Sequence, residues 1–362
     1  MSEPSLNLTD LRAALERANH PRRMAETSMT TLDETQRRHR LGVVVEPGVT
    51  AEAVRAGFAA AAAAATAATA DAIGAPTSFD LRSVNGVNYP TGVRDQGNCG
   101  SCVAFGVVGA MESVARYTLG RPTLAVDLSE AHLFYGHGGT VGVTCDTGWF
   151  PEPASNFAQN PGITFEDYYP YVARQPGTVN AAWPDHRANI TGWHSVTNDP
   201  AGTNAAISSR GAITACLYVF QDFFGYSGGI YRHVTGALAG GHCVTLIGYD
   251  DAAGCWIGKN SWGTGWGEAG FFRIAYGQCS IESWHNVAVD GVRFRTWWAD
   301  QKIRGLWTGD ADANVWAYGD QRGWLHIDSG VGATSLGMLH TLEAAKAGDH
   351  MVGLFEDSSN IT

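Results

Sequence analysis

Gln96-Gly97-Asn98-Cys99-Gly100-Ser101-Cys102 sets a side-chain amide six residues before a cysteine. The chain continues into an apolar run, Phe105 to Glu112, that predicts a buried helix. A cysteine at a helix N-terminus lies among unpaired N–H groups and the positive end of the helix dipole, which favour a thiolate. Cysteine is often only a small buried hydrophobe, and one such residue would read that way. Two other stretches argue against it. In Gly241-His242-Cys243-Val244-Thr245-Leu246, a histidine opens a β-rich run. In Cys255-Trp256-Ile257-Gly258-Lys259-Asn260-Ser261-Trp262-Gly263, a strand ends in an asparagine before a Gly- and Trp-rich turn. Cysteine, histidine and asparagine together supply a nucleophile, a base and a group that orients the base.

These residues must be positioned by a helix carrying the sulfur and by strands carrying the imidazole and the amide. Residues 77–165 predict mainly helix, with Ser129 capping a second helix. Residues 190–290 are rich in Val, Ile, Tyr, Phe and Trp with repeated glycine turns, and predict β structure. A helical lobe facing a β-rich lobe leaves a cleft between them.

The three stretches resemble the papain family of cysteine peptidases, in which the nucleophile, histidine and asparagine follow in that order. Here His242 and Asn260 follow Cys102 by 140 and 158 residues. The resemblance extends to Ser78-Phe79-Asp80-Leu81-Arg82, Leu128-Ser129-Glu130, Cys145-Asp146-Thr147-Gly148, Tyr169-Pro170-Tyr171 and Gly267 to Ile274. It spans about residues 77 to 290. It implies an α+β, papain-like two-lobe fold and a peptidase acting through a thioester, with Cys102, His242 and Asn260 catalytic. Gln96 and the Cys102 N–H would hold the oxyanion, each worth on the order of 2.7–4 kcal/mol. Trp262 would shield the His–Asn bond. By the same resemblance Cys99 pairs with Cys145, and Gly148, Trp149, Cys216, Gly241 and Trp284 line the substrate groove. The second pocket before the cut is then expected to be apolar. Val103 departs from the pattern, which has an aromatic residue there.

Composition sets outer limits. The chain has 362 residues, 44% hydrophobic, with 12 tryptophans and a net charge of −11. That charge argues against nucleic acid and anionic membrane as partners. No apolar stretch reaches the length of a membrane span, and Met1 to Ser5 does not read as a signal peptide. Of the seven cysteines, Cys216, Cys243 and Cys255 read as buried free thiols. Cys279 matches a bridged position whose partner is missing. The single expected disulfide hints at export by another route and leaves the compartment open. No cofactor or metal is called for. Asp310-Ala311-Asp312-Ala313-Asn314 echoes a calcium loop but lacks its glycine and its closing glutamate. His137 reads as a surface residue of a glycine-rich loop.

Three regions are expected: an N-terminal propeptide-like segment over 1–76, a peptidase domain over 77–290 and a small β-rich appendage over 291–362. In the first, Asn7 or Thr9 caps a helix with Leu11, Leu15 and Ala18 on one face. Leu41 to Pro47 is extended, and Thr50 to Phe58 is helical. Ala59 to Ala70 reads as a solvent-exposed helix or linker. The segment is expected to act as the chain's own inhibitor. In the appendage, Trp297 to Trp307, Val315 to Tyr318 and Gly323 to Ile327 read as short strands, and Gly337 to Gly348 as helix. Its tryptophans are expected to pack on the peptidase domain. The functional expectation is an endopeptidase made as a zymogen, acting on peptide or protein substrates. A peptide ligase or acyl transferase using the same thioester, and a non-catalytic binding protein on this scaffold, are the alternatives.

Overall fold

The computed structural model describes residues 7–70, 74–308, 315–327 and 332–357. The N-terminal segment begins with helix α1 (Leu8–Arg17), capped by Asn7, whose side chain accepts from the Thr9 and Asp10 amides. Leu11 and Leu15 form its buried stripe. Strand β1 (Arg23–Met24) and helix α2 (Glu34–Arg38) follow, the latter closed by an Asp33–Gln36 capping box. Residues 40–45 are extended. Helices α3 (Ala51–Ala56) and α4 (Phe58–Ala70) end the segment. The alanine run does not stand free in solvent. Ala65 is fully buried, and Gly277 abuts the backbone at Phe58 and Ala62, where an added Cβ would overlap. Small side chains let this helix lie flush on the domain, which makes it a docked element and not a linker.

After β2 (Ser78–Asp80), helix α5 (Cys102–Thr118) carries the sulfur. All residues from Cys102 to Ala115 are buried, so this helix runs through the middle of the molecule. Helix α6 (Pro151–Gln159) and strands β3 (Ile163–Thr164), β4 (Arg187–Ile190) and β5 (Trp193–Ser195) follow. His137 is buried, unlike the surface position expected; its Nε2 lies 2.8 Å from the Gly162 carbonyl and its ring stacks on Phe157. The β-rich half also contains a helix that its composition did not predict, α7 (Pro200–Arg210). Asp199 caps it and Pro200 starts it, a local signal that outweighs the surrounding β-formers.

Strand β7 (Tyr226–Gly228) lies outside the main sheet, which is built on β6 (Ile213–Phe220), β8 (Ile230–Tyr231), β9 (Leu238–Asp250), β10 (Cys255–Lys259), β11 (Phe271–Ala275) and β12 (Val287–Val289) together with β5. The strand order of the main sheet is β5-β12-β6-β9-β10-β11-β8, with β2 added on β9, while β7 pairs separately with β1. Helix α5 packs against β6 and β9. Gly106 permits this approach, since a Cβ there would lie 2.7 Å from the Cys243 sulfur. The α+β two-lobe arrangement is therefore present, with α5 as one wall of the cleft and β9 with β10 as the other.

Residues beyond 291 form the three expected strands, of which the first, β13 (Val292–Thr308), is longer than expected. Its start pairs with β4 and its later part with β14 (Val315–Gly319), which pairs with β15 (Gly323–Ile327). Helix α8 (Gly332–Ala347) and an unanticipated strand β16 (Met351–Asp357) complete it, β16 pairing with β13. Of the tryptophans, Trp298 packs against Phe165 and Phe294, whereas Trp297, Trp307 and Trp324 are exposed. The expectation that they pack on the peptidase domain thus fails for these three. They project from strand positions facing solvent, while Ile303, Ala317 and Leu354 face the small core beside Leu342. The calcium-like stretch Asp310–Asn314 lies outside the described residues.

A charged cluster ties the two lobes together beneath the cleft. Thr91 donates to Glu112 and accepts from Lys259 Nζ at 2.9 Å, and Glu112 also accepts from the Leu128 amide at 2.8 Å. Glu112 and Lys259 are both buried. Removing one member of such a cluster leaves an uncompensated buried charge, at a cost of about 3–5 kcal/mol. Lys259→Met should lower the denaturant midpoint by that order, and adding Glu112→Gln should recover part of it. Equilibrium unfolding of the three proteins checks this; an unshifted midpoint in the single variant would show the cluster to be energetically idle.

Candidate active site

The site is assembled where the start of α5 meets the neighbouring ends of β9 and β10. Cys102 is the first residue of α5, and Ser101 before it makes no side-chain cap. The helix N-terminus therefore keeps its positive end directed at the sulfur. His242 lies on β9, and Asn260 follows the last residue of β10. His242 Nε2 is 2.7 Å from Asn260 Oδ1, and the same oxygen accepts from the Ser261 amide at 2.7 Å. An amide oxygen only accepts, so Nε2 carries the hydrogen and Nδ1 is left as the free ring nitrogen. Nδ1 is buried and makes no well-formed hydrogen bond among the described residues, with the Arg40 carbonyl beside it. The Trp262 ring lies 4.5 Å from the imidazole and is fully buried. It covers the His–Asn pair and separates it from water.

Gln96 is also fully buried. Its Oε1 accepts from the Ser261 hydroxyl at 2.8 Å, which turns Nε2 toward the Cys99 carbonyl (2.8 Å) and the Arg40 carbonyl (3.2 Å). Ser261 thus orients both amides, one through its backbone and one through its hydroxyl. It sits beside Asn260 in sequence, but nothing in its type marks this double role. Tyr171 is a second support that went unnoticed. Its hydroxyl donates to the Gln96 carbonyl and lies 2.6 Å from the Ser101 hydroxyl.

A short strap from the N-terminal segment crosses this site. The Arg40 carbonyl meets Gln96 Nε2, and the Gly42 amide lies 3.3 Å from the Cys102 sulfur. The Gly42 carbonyl accepts from the Trp149 amide at 2.8 Å, and the Val43 amide donates to the Gly241 carbonyl at 3.1 Å. Only glycine fits at 42, because a Cβ would fall 1.9 Å from the Gly100 carbonyl oxygen. Gly148 faces Gly42 as closely, its ideal Cβ 2.4 Å from the Gly42 oxygen. Trp284 closes the floor beside Gly241 and stacks on Tyr218 at 4.0 Å. Gln96, Cys102, Gly148, Trp149 and Gly241 are therefore gathered around four consecutive strap residues. Cys216 lies one strand farther in, opposite Cys243 on β9. Cys99 and Cys145 form a disulfide that holds the loop before α5 to the loop carrying Gly148. Cys216, Cys243, Cys255 and Cys279 are free and buried.

The covered site is electrically neutral. Burial pushes the Cys102 thiol up, Cys243 adds to this, and the nearby backbone N–H groups of Cys243, Gly42 and Val103 offset only part. Burial lowers the His242 imidazole to about 4, against the Asn260 hydrogen bond and the Arg40 carbonyl. At neutral pH both groups are uncharged beneath the strap, so the thiolate expected from the helix terminus is suppressed while the strap is seated.

The strap is anchored away from the site. Arg22 and Asp222 form a buried ion pair at 2.6 Å, and the Tyr231 hydroxyl and the Val234 amide also donate to Asp222. His233 Nδ1 lies 3.0 Å from the same carboxylate. Strand β1 pairs with β7, and Ser28 donates to the Gly265 and Trp262 carbonyls. Arg40 adds an ion pair to Asp95 at 2.6 Å.

Comparison with known proteins agrees with this geometry. The family model described as papain family cysteine protease matches residues 75–289. Cathepsin B-like CP2 of Giardia intestinalis is 34% identical over 223 residues, covering 57% of this chain and 72% of the relative. Fruit bromelain of Ananas comosus is 35% identical over 218 residues, covering 59% of each. Among solved structures, proCathepsin B S9 from Trypanosoma congolense superposes with a TM-score of 0.62 at 19% identity, over 80% of this chain and 99% of that one. The last likeness shows the fold. With its helical and β lobes and the family match across both, this chain belongs to the papain family of cysteine proteases.

Proposed function

We propose that the chain is an endopeptidase zymogen in which Cys102 is the nucleophile, His242 the general base and acid, Asn260 the group orienting the imidazole, and Gln96 an oxyanion donor. The observation that carries this reading is the strap: its backbone satisfies the groups a peptide bond would engage. The Arg40 carbonyl sits on the Gln96 amide and the Gly42 N–H on the sulfur. With the strap gone, water reaches the site and the burial that holds both groups neutral is relieved. The helix terminus and the imidazole then favour thiolate and imidazolium.

Cys102 Sγ attacks the peptide carbonyl, and the oxygen takes up negative charge between the Cys102 N–H and Gln96 Nε2. The imidazolium gives its proton from Nδ1 to the leaving amine. Imidazole then takes a proton from water, the resulting hydroxide attacks the thioester, and the thiolate leaves. Asn260 keeps the proton on Nε2 throughout, so Nδ1 remains the working nitrogen. Gly148, Trp149, Gly241 and Trp284 bind the substrate on this reading, by strand-like backbone pairing of the kind the strap makes. Cys216 would line the inner end of the same groove. An endopeptidase fits because the strap continues as polypeptide on both sides of Cys102, toward Ser28 and toward α3, so the groove accepts an uninterrupted chain.

The proposed division of the chain places the inhibitor in residues 1–76, the peptidase in 77–290 and an appendage in 291–362. Wild-type protein should shorten to a new N-terminus between about Ala59 and Phe79, and Cys102→Ala should stay full length and inactive. Intact mass and N-terminal sequencing read both. Turnover by an uncut wild-type chain would overturn the inhibitory role of the strap, whereas turnover by Cys102→Ala would overturn the assignment of the nucleophile. Products joined to an added amine in place of free acids would point to acyl transfer.

The anchor at Asp222 sets a pH dependence. Burial would raise this carboxyl, but the His233 hydrogen bond, the Arg22 guanidinium and the Val234 amide outweigh it and hold it below the usual range. A depressed carboxylate contributes stability that is full above its ordinary value of about 3.9 and is lost as pH falls through the depressed value. Strap release, followed by the appearance of activity, should therefore accelerate below about pH 4, and Asp222→Asn should remove most of that dependence. A release rate that does not change across this range would rule out the Asp222 anchor as its cause.

A further inference from the structure

Two free thiols outside the proposed catalytic groups stand face to face. Cys216 on β6 and Cys243 on β9 are direct partners in an antiparallel pair, so their side chains share a face. The Cys216 amide is directed away from β9, toward Asn286 Oδ1 at 3.4 Å. The two cysteines therefore form a non-hydrogen-bonded pair, the kind with Cα atoms about 4.5 Å apart and side chains closest. That spacing falls within the range a disulfide spans, about 4.4–6.8 Å. Gly106 leaves the Cys243 sulfur its space against α5. Both are fully buried. Cys255 and Cys279, also free, lie on other elements, the first at the start of β10 and the second after β11.

We propose that Cys216 and Cys243 form a reversible dithiol–disulfide site, oxidised by hydroperoxides, within the strand pair that carries His242. In the first step the Cys243 sulfur attacks one peroxide oxygen. The O–O bond breaks and the second oxygen leaves, taking up a proton, as water or an alcohol; Cys243 becomes a sulfenic acid. In the second step the Cys216 sulfur attacks that sulfenic sulfur, the S–O bond breaks, and water leaves with the Cys216 proton. The two thiols lose two electrons and two protons in all, and the peroxide is reduced. The new bond draws the sulfurs to about 2.05 Å. It thereby pulls on the residue that follows His242 and whose amide reaches the Cys102 sulfur. A thiol reductant reverses it.

The test uses the full-length Cys102→Ala protein, so that no signal arises from Cys102, and hydrogen peroxide as the oxidant. Four thiols are then free, at Cys216, Cys243, Cys255 and Cys279. Thiols titrated in denaturant should fall from four to two, at least about tenfold faster than Cys255 or Cys279 is lost. A non-reducing digest should contain one new linkage, Cys216 to Cys243, cleared by dithiothreitol. Adding either Cys243→Ala or Cys216→Val should abolish the linkage, and either variant suffices if the other does not fold. The proposal is overturned if all four thiols persist, if the new linkage joins other cysteines, or if Cys216 and Cys243 appear only as separate sulfinic or sulfonic acids.

Discussion

Two backbone groups in the N-terminal strap, the Arg40 carbonyl and the Gly42 amide, cover the site. One occupies a donor on Gln96 and the other approaches the Cys102 sulfur. These contacts need a chain with no side chain at 42, because the Gly100 carbonyl leaves no room for a Cβ. They also need a partner loop at the right height, which the Cys99–Cys145 disulfide fixes by joining the two loops that flank the strap. In the covered state burial raises the thiol and lowers the imidazole, which holds both toward their neutral forms, while the Gly42 amide opposes this at the sulfur.

The strap can be held this way because its grip lies elsewhere. The buried Arg22–Asp222 pair, the β1–β7 pairing and the docked alanine helix all bind outside the groove. The contact over the site consists of a few backbone hydrogen bonds, each contributing only about 0.5–1.5 kcal/mol net. A weak local contact backed by remote anchors is released when the anchors fail.

Much of the site was legible in the sequence because its chemistry depends on residue types. Cysteine at a helix start, histidine opening a strand and asparagine closing one are visible as patterns. Gln96 was marked by its offset from Cys102, and Leu41 to Pro47 by its lack of helical period. What escaped notice depends on tertiary context. Ser261 orients two amides only because β10 and the Gln96 loop meet. Ala59 to Ala70 looked unable to bury anything, yet a helix without bulk can lie flat on a glycine. Helix α7 was hidden by β-forming neighbours although Asp199-Pro200 was a cap in plain sight. His137 was read by its glycine-rich surroundings, which in the fold are a π-helical turn (His132–His137) running into a 3-10 turn (Gly138–Val141), with the His137 ring stacked on Phe157. The exposed Trp297, Trp307 and Trp324 were assigned to a core by type, but strand alternation turned them outward.

The most direct test of the account is the charge state of the Cys102–His242 pair with the strap seated and with it removed. At neutral pH, the ultraviolet thiolate absorbance of wild type minus that of Cys102→Ala should be absent in the full-length chain. The same difference, taken after both proteins have been cut in trans and the strap separated, should show one thiolate. A thiolate already present beneath the strap, or none after its removal, would contradict it.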